Sequence, residues 1–98
     1  MSPKELTVIA RVVAKKNYEE ALRVELLKLI APTRLEEGCL VYTLHQDNID
    51  PALFIFYETW ASSAALEAHR NSPHFLRYVA TVGSMLKEKD VHLLTRIA

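Results

Sequence analysis

His69 and His74 stand five residues apart on either side of an Asn71-Ser72-Pro73 break, and imidazole is the side chain that takes up and releases protons near neutral pH. Upstream lie Tyr42, Tyr57, Glu58 and Trp60, and Tyr78 follows. An imidazole in such company suits removal of a proton from a phenol or an enolising carbon. The tyrosines can donate hydrogen bonds to a substrate oxygen, and Trp60 offers a flat apolar wall. Each residue also has a plain structural use. His74 follows a Ser-Pro helix start and could bind backbone carbonyls, and Trp60 could be core. Glu58, an odd carboxylate in an apolar run, calls for a partner. Arg11 or Arg96 would make it a salt bridge, whereas His69 or His74 would make it an orienter that raises an imidazole's pKa.

The spacing of apolar residues says which elements must carry these groups. "LTVIARVVA" (6–14) is short and β-branched, as a strand buried on both faces is. From Tyr18 the period becomes helical through Ala21, Leu22, Leu26, Leu29 and Ile30, with Asn17 as the expected N-cap and Pro32 ending or kinking the helix. Gly38 reverses the chain into "CLVYTLHQ" (39–46), which alternates Leu40, Tyr42 and Leu44 against Cys39, Val41, Thr43 and His45. "LFIFYETW" (53–60) completes a hairpin through "DNIDPA". Next come a short helix capped by Ser62 or Ser63, and a second capped by Ser72 with Pro73 in its first turn. The second runs to residue 88 with Phe75, Val79, Val82 and Leu86 as its inner stripe. "DVHLLTRI" (90–97) is the last strand.

The order βαββαβ predicts an α+β, ferredoxin-like domain, with a four-stranded antiparallel sheet and helices on one face. Both faces of the inner strands are apolar, so the face without helices should meet a second copy, making a homodimeric α+β barrel. On that alternation His45 lies on the face expected at the interface.

Composition narrows the classes. Ninety-eight residues suit one domain, 1–98, and 12 basic against 12 acidic residues leave no electrostatic footprint for nucleic acid. No apolar run reaches membrane-span length and "MSPKEL" lacks a signal-peptide core, so a cytoplasmic location is expected. The single cysteine, Cys39, reads as an inert thiol, and no metal triad or Gly-rich phosphate loop is visible.

Residues 36–75, "EEGCLVYTLHQDNIDPALFIFYETWASSAALEAHRNSPHF", resemble the antibiotic biosynthesis monooxygenase family, particularly its short bacterial members, through Gly38-Cys39, Tyr42, Gln46-Asp47, Asp50-Pro51, Phe54, Glu58, Trp60, Leu66, His69 and Ser72-Pro73-His74-Phe75. The resemblance implies a dimeric barrel with a small-molecule pocket between sheet and helices. It also implies cofactor-free oxidation of a quinol or other phenolic metabolite, with no metal. His69 and His74 are then the expected catalytic residues, and Tyr42, Tyr57, Glu58, Trp60 and Tyr78 the substrate-binding ones. The same scaffold resembles isomerases of small phosphorylated keto sugars, and a non-catalytic ligand-binding dimer is the third reading. Haem degradation is disfavoured, because the first strand has no Asn and residues 62–89 contain no Trp.

Overall fold

The computed structural model describes residues 4–98. Its elements are β1 (Leu6–Ala14), α1 (Glu19–Leu27), α2 (Ile30–Arg34), β2 (Cys39–Gln46), β3 (Leu53–Trp60), α3 (Ser63–Arg70), α4 (Pro73–Val82), a 3₁₀ turn (Gly83–Met85) and β4 (Leu86–Leu94). The sheet is antiparallel throughout with strand order β2-β3-β1-β4, the ferredoxin-like arrangement that the element order predicts. No helix among the described residues is long and apolar enough to cross a membrane.

Register decides which side chains share a face. Val8, Ala10 and Val12 of β1 stand opposite Glu58, Phe56 and Phe54 of β3, and Tyr42 and Leu44 of β2 stand opposite Glu58 and Phe56. This is the face the helices cover. Leu22, Leu26 and Leu29 come down on it from one side and Leu66 and Val82 from the other, forming the core with Phe54, Phe56 and Trp60. The opposite face carries Ile9, Arg11, Ile55, Tyr57, Thr43 and His45. Tyr57 is 41% exposed there and Val41 39%.

Several local expectations change. Asn17 does not cap α1: it adopts a left-handed φ of 75°, and Tyr18 takes the cap position without a side-chain bond. Short polar side chains tolerate that conformation, so Asn17 turns the chain before the helix starts. Pro32 sits within the short α2, after the break that separates it from α1. Cys39 pairs with Trp60 while Val41 pairs with Thr59, so Leu40 is an extra, bulged residue and Cys39 shares a face with Trp60, not with Val41. The last strand starts at Leu86, four residues earlier than "DVHLLTRI" suggests. Lys87 and Glu88 resemble a solvated helix end. They lie instead on an edge strand, where charges are tolerated because one side has no strand neighbour. Of the expected α4 stripe, Val82 is core, Phe75 and Leu86 are partly buried, and Val79 is half exposed.

The serine caps are as predicted. Ser62 Oγ accepts from the Ala65 N–H at 3.2 Å, and Ser72 Oγ from the Phe75 N–H at 3.4 Å, with Pro73 at the start of α4. Ser62 starts α3, and Ser72, whose hydroxyl also donates to the His69 carbonyl, holds the α3–α4 corner on which both histidines sit.

Candidate active site

A cavity of about 360 Å³ opens between the helix-covered face of the sheet and α4. Its walls are mostly apolar, with Val12 and Phe56 from the sheet and Phe75 and Val82 from α4. Tyr42, Tyr78 and the buried Glu58 bring polar groups to it from β2, α4 and β3. Arg11, Lys89 and Asp90 complete the lining on the β1–β4 side.

Glu58 is 4% exposed and sits at mid-sheet between Val8 and Tyr42. The expected salt bridge does not form: Arg11 pairs with Asp90 at 3.0 Å, and Arg96 donates to the Ala98 carbonyl. Neither arginine shares the helix-covered face with Glu58, because Arg11 alternates to the opposite side of β1 and Arg96 lies beyond β4. Instead Glu58 Oε1 accepts the Trp60 indole N–H at 2.8 Å. Burial pushes the Glu58 carboxyl up to about 7; the indole bond and the Arg70 charge pull the other way, and Glu36 adds to the rise. The result is a carboxyl that exchanges a proton near neutral pH, the property expected of a general base.

The Tyr42 ring stacks on Phe56, with centroids 5.0 Å apart. Desolvation, then the neighbouring Glu58, drives its phenol well above the ordinary range. Burial also pushes Tyr78 up to about 12. Both hydroxyls therefore remain donors across the working pH range.

His69 and His74 do converge, but on a carboxylate the sequence did not single out. His69 Nδ1 and His74 Nε2 each lie 2.7 Å from the same Glu36 Oε2. A carboxylate oxygen only accepts, so this contact fixes both imidazoles as donors at those nitrogens. Neither histidine lines the cavity. His69, 2% exposed, packs instead on Trp60 and Phe75, with ring centroids 4.7 and 4.9 Å away. Its burial lowers the imidazole pKa against the pull of Glu36. Trp60, fully buried, also stands behind the wall, between His69 and Glu58. Of the expected site residues, then, Tyr42, Glu58 and Tyr78 line one cavity, while His69, His74 and Trp60 form the adjoining layer. Tyr57 points to the other face of the sheet, and His45 is exposed there with its ring on Thr43 Oγ1 at 2.9 Å.

Glu36 reaches the histidines because of Gly38. That glycine has φ +85°, and a Cβ on it would lie 2.6 Å from the Ala65 Cβ. The loop before β2 thus descends onto α3 at a point where only glycine fits. His69 lies one helical turn beyond Ala65 on the same face, within reach of Glu36. The "EEG" turn was the available signal in the sequence, but nothing local tied it to residues 33 and 38 positions away. The three donor atoms of Glu36, His69 and His74 all lie within 4.8 Å of one another, a grouping invisible at the spacing of the two histidines alone.

The profile of the antibiotic biosynthesis monooxygenase family matches residues 6–81. The chain belongs to this family. It is 41% identical over 81 residues to "Putative monooxygenase Rv0793" of Mycobacterium tuberculosis, covering 83% of this chain and 79% of that protein. It is 28% identical over 99 residues to "Probable quinol monooxygenase YgiN" of Escherichia coli, covering 91% and 95%. Among solved structures, that of PA3566 from Pseudomonas aeruginosa superposes with a TM-score of 0.95 at 43% identity, over 100% of this chain and 99% of that one. Family membership and the fold thus rest on nearly the full length of the chain.

Proposed function

We propose that this family member is a cofactor-independent monooxygenase that oxidises a small quinol or related phenol with dioxygen. The observation that carries the reading is the apolar cavity with a buried carboxyl, Glu58, beside two phenol donors, Tyr42 and Tyr78, while the second lining carboxyl, Asp90, is paired with Arg11. Its volume of about 360 Å³ is in the range of small-molecule sites. In this reading Glu58 takes the proton from the substrate hydroxyl, and Tyr42 and Tyr78 hold the oxygens. The aromatic walls replace water around the resulting anion.

An electron-rich anion of this kind can itself reduce dioxygen. A carbon–oxygen bond forms, and the peroxide that results loses water as its O–O bond breaks. Quinol plus dioxygen thus becomes hydroxyquinone plus water, with both electron pairs drawn from the substrate and the proton on Glu58 returned to the departing hydroxide. The proton-transfer role passes from His69 and His74 to Glu58 because Glu58 alone of the three lines the cavity. We further propose that two copies pair through the sheet face bearing Tyr57, Val41 and Ile55, since an apolar sheet face left open to water is unfavourable.

The test is oxygen uptake by chelator-treated protein with a panel of hydroquinones and naphthohydroquinones, autoxidation subtracted, and incorporation of isotopic oxygen into product by mass spectrometry. One labelled oxygen atom per turnover is expected, with a loss of about 10²–10⁴-fold on Glu58→Gln. Uptake no faster than autoxidation across the panel would refute the assignment.

A further inference from the structure

Outside the cavity, the most unusual group of side chains is the one at the α3–α4 corner. Three separate segments send one donor each to a common point: the loop before β2 sends Glu36 Oε2, the end of α3 sends His69 Nδ1, and the first turn of α4 sends His74 Nε2. The two imidazole planes are inclined by 54° with centroids 6.0 Å apart, so they approach the point from different directions rather than stacking.

We propose that Glu36, His69 and His74 form a three-donor site for a divalent first-row transition ion of the zinc or iron(II) class, with water in the remaining positions. Two imidazoles and one carboxylate are a donor set suited to such ions, whereas magnesium and calcium take oxygen ligands. The set adds one negative charge against the ion's two positive ones and leaves it an open coordination sphere.

The fit can be judged from the distances. Bonds of about 2.0–2.1 Å to a tetrahedral ion place donors about 3.4 Å apart. Both imidazole nitrogens lie 2.7 Å from Glu36 Oε2, so each gap must widen by about 0.7 Å on binding. Glu36 and His74 have room to move, with side chains 14% and 18% exposed, whereas His69 at 3% is held. Ser72 helps hold the corner: its hydroxyl donates to the His69 carbonyl at 2.6 Å and lies 3.2 Å from His74 Nε2. Binding requires the proton that each imidazole directs at the carboxylate to leave that nitrogen, for the other nitrogen of the ring when the imidazole is neutral or for solvent when it is charged.

Such an ion would tie α3, α4 and the loop before β2 together. It would lie behind Trp60 and Phe75, which pack on His69. The site therefore does not depend on the oxygenase reading.

The experiment is titration of chelator-treated full-length protein with cobalt(II), followed by visible absorption, and with zinc(II), followed by calorimetry and thermal unfolding. One ion per chain is expected, with visible d–d bands of a low-coordinate cobalt(II) centre and a raised melting temperature. Glu36→Gln and His74→Ala should each weaken binding by at least about 10–100-fold. His69→Ala is avoided because that ring is buried among aromatic neighbours. His92→Ala is the control for the exposed His92–Asp90 pair, 3.3 Å apart, and should leave the affinity unchanged. No saturable binding at micromolar ion, or binding that Glu36→Gln and His74→Ala leave intact, would overturn the proposal. Oxygen uptake by the metal-free protein reports on the cavity independently.

Discussion

Glu58→Gln separates the cost of burying this carboxyl from its chemical use. The amide oxygen can still accept the Trp60 indole N–H, and the amide nitrogen occupies the place of the protonated oxygen, so the variant mimics the neutral acid. Raising a carboxyl from its ordinary 4.5 to about 7 corresponds to about 3 kcal/mol of differential stability. The direction is set by proton counts. Between those two pH values the folded chain holds a proton that the unfolded chain has released, so this group's contribution falls as pH rises through the interval and is constant above it. Below about pH 4 the wild type and the variant should be about equally stable; above about pH 8 the variant should be the more stable by about 3 kcal/mol. The assay is urea unfolding at fixed protein concentration across this range, read as the difference between the two proteins so that other titrating groups cancel. A difference that does not vary with pH would refute the claim that burial raises the Glu58 pKa. A difference that varies with the opposite sign would mean that its hydrogen bond outweighs desolvation.

Three further outcomes follow from the geometry. Trp60→Phe removes the donor that favours ionised Glu58, so the rising limb of kcat/KM against pH should move to higher pH by about one to two units, the equivalent of a hydrogen bond to a charged group of about 1.5–3 kcal/mol; an unmoved limb would sever the link between the indole and the base. Gly38→Ala should destabilise the fold by at least about 2 kcal/mol in urea unfolding, since a side chain is strained at its positive φ and its Cβ would collide with Ala65; a change below about 0.5 kcal/mol would place it among ordinary surface substitutions and contradict the close approach. Light scattering at micromolar concentration should give about twice the 11.2 kDa chain mass, and Tyr57→Lys, which charges the open sheet face, should shift it towards monomer. A monomeric wild type would reject the pairing.

The element order was legible because it rests on period: β1, β2 and β3 alternate or run apolar, α1 keeps a helical stripe, and Ser62 and Ser72 cap where serine should. Resemblance then supplied the family and the expectation of a pocket between sheet and helices. What failed was local or long range. Leu40 bulges out of β2, and a bulge adds a residue without leaving a mark in the alternation. The charged residues 87 and 88 can end a helix or decorate an edge strand, and only pairing with β1 decides between them. Glu58 reads as a carboxylate that needs a partner, and that partner is an indole two residues away, on the same face of the same strand. A neutral donor at i+2 on the same strand face satisfies a buried carboxylate oxygen as a cation would, and alternation alone does not distinguish the two.

Trp60 explains why the polar residues that looked like one pocket form two clusters. Its indole N–H belongs to Glu58, on the cavity side, while its ring lies against His69, which belongs to Glu36. Because the ring is fully buried, it separates the two carboxylates with apolar surface while connecting them mechanically. A buried cluster containing both carboxylates and both imidazoles would have many coupled protonation states. The separation leaves the buried Glu58 carboxyl beside two phenols that stay protonated, which is the simpler arrangement for moving a single substrate proton. The rigidity of that wall depends on the α3–α4 corner behind it. A change at Glu36 or His74 should therefore reach the cavity through the position of Trp60, whereas a change at Glu58 should leave the corner intact.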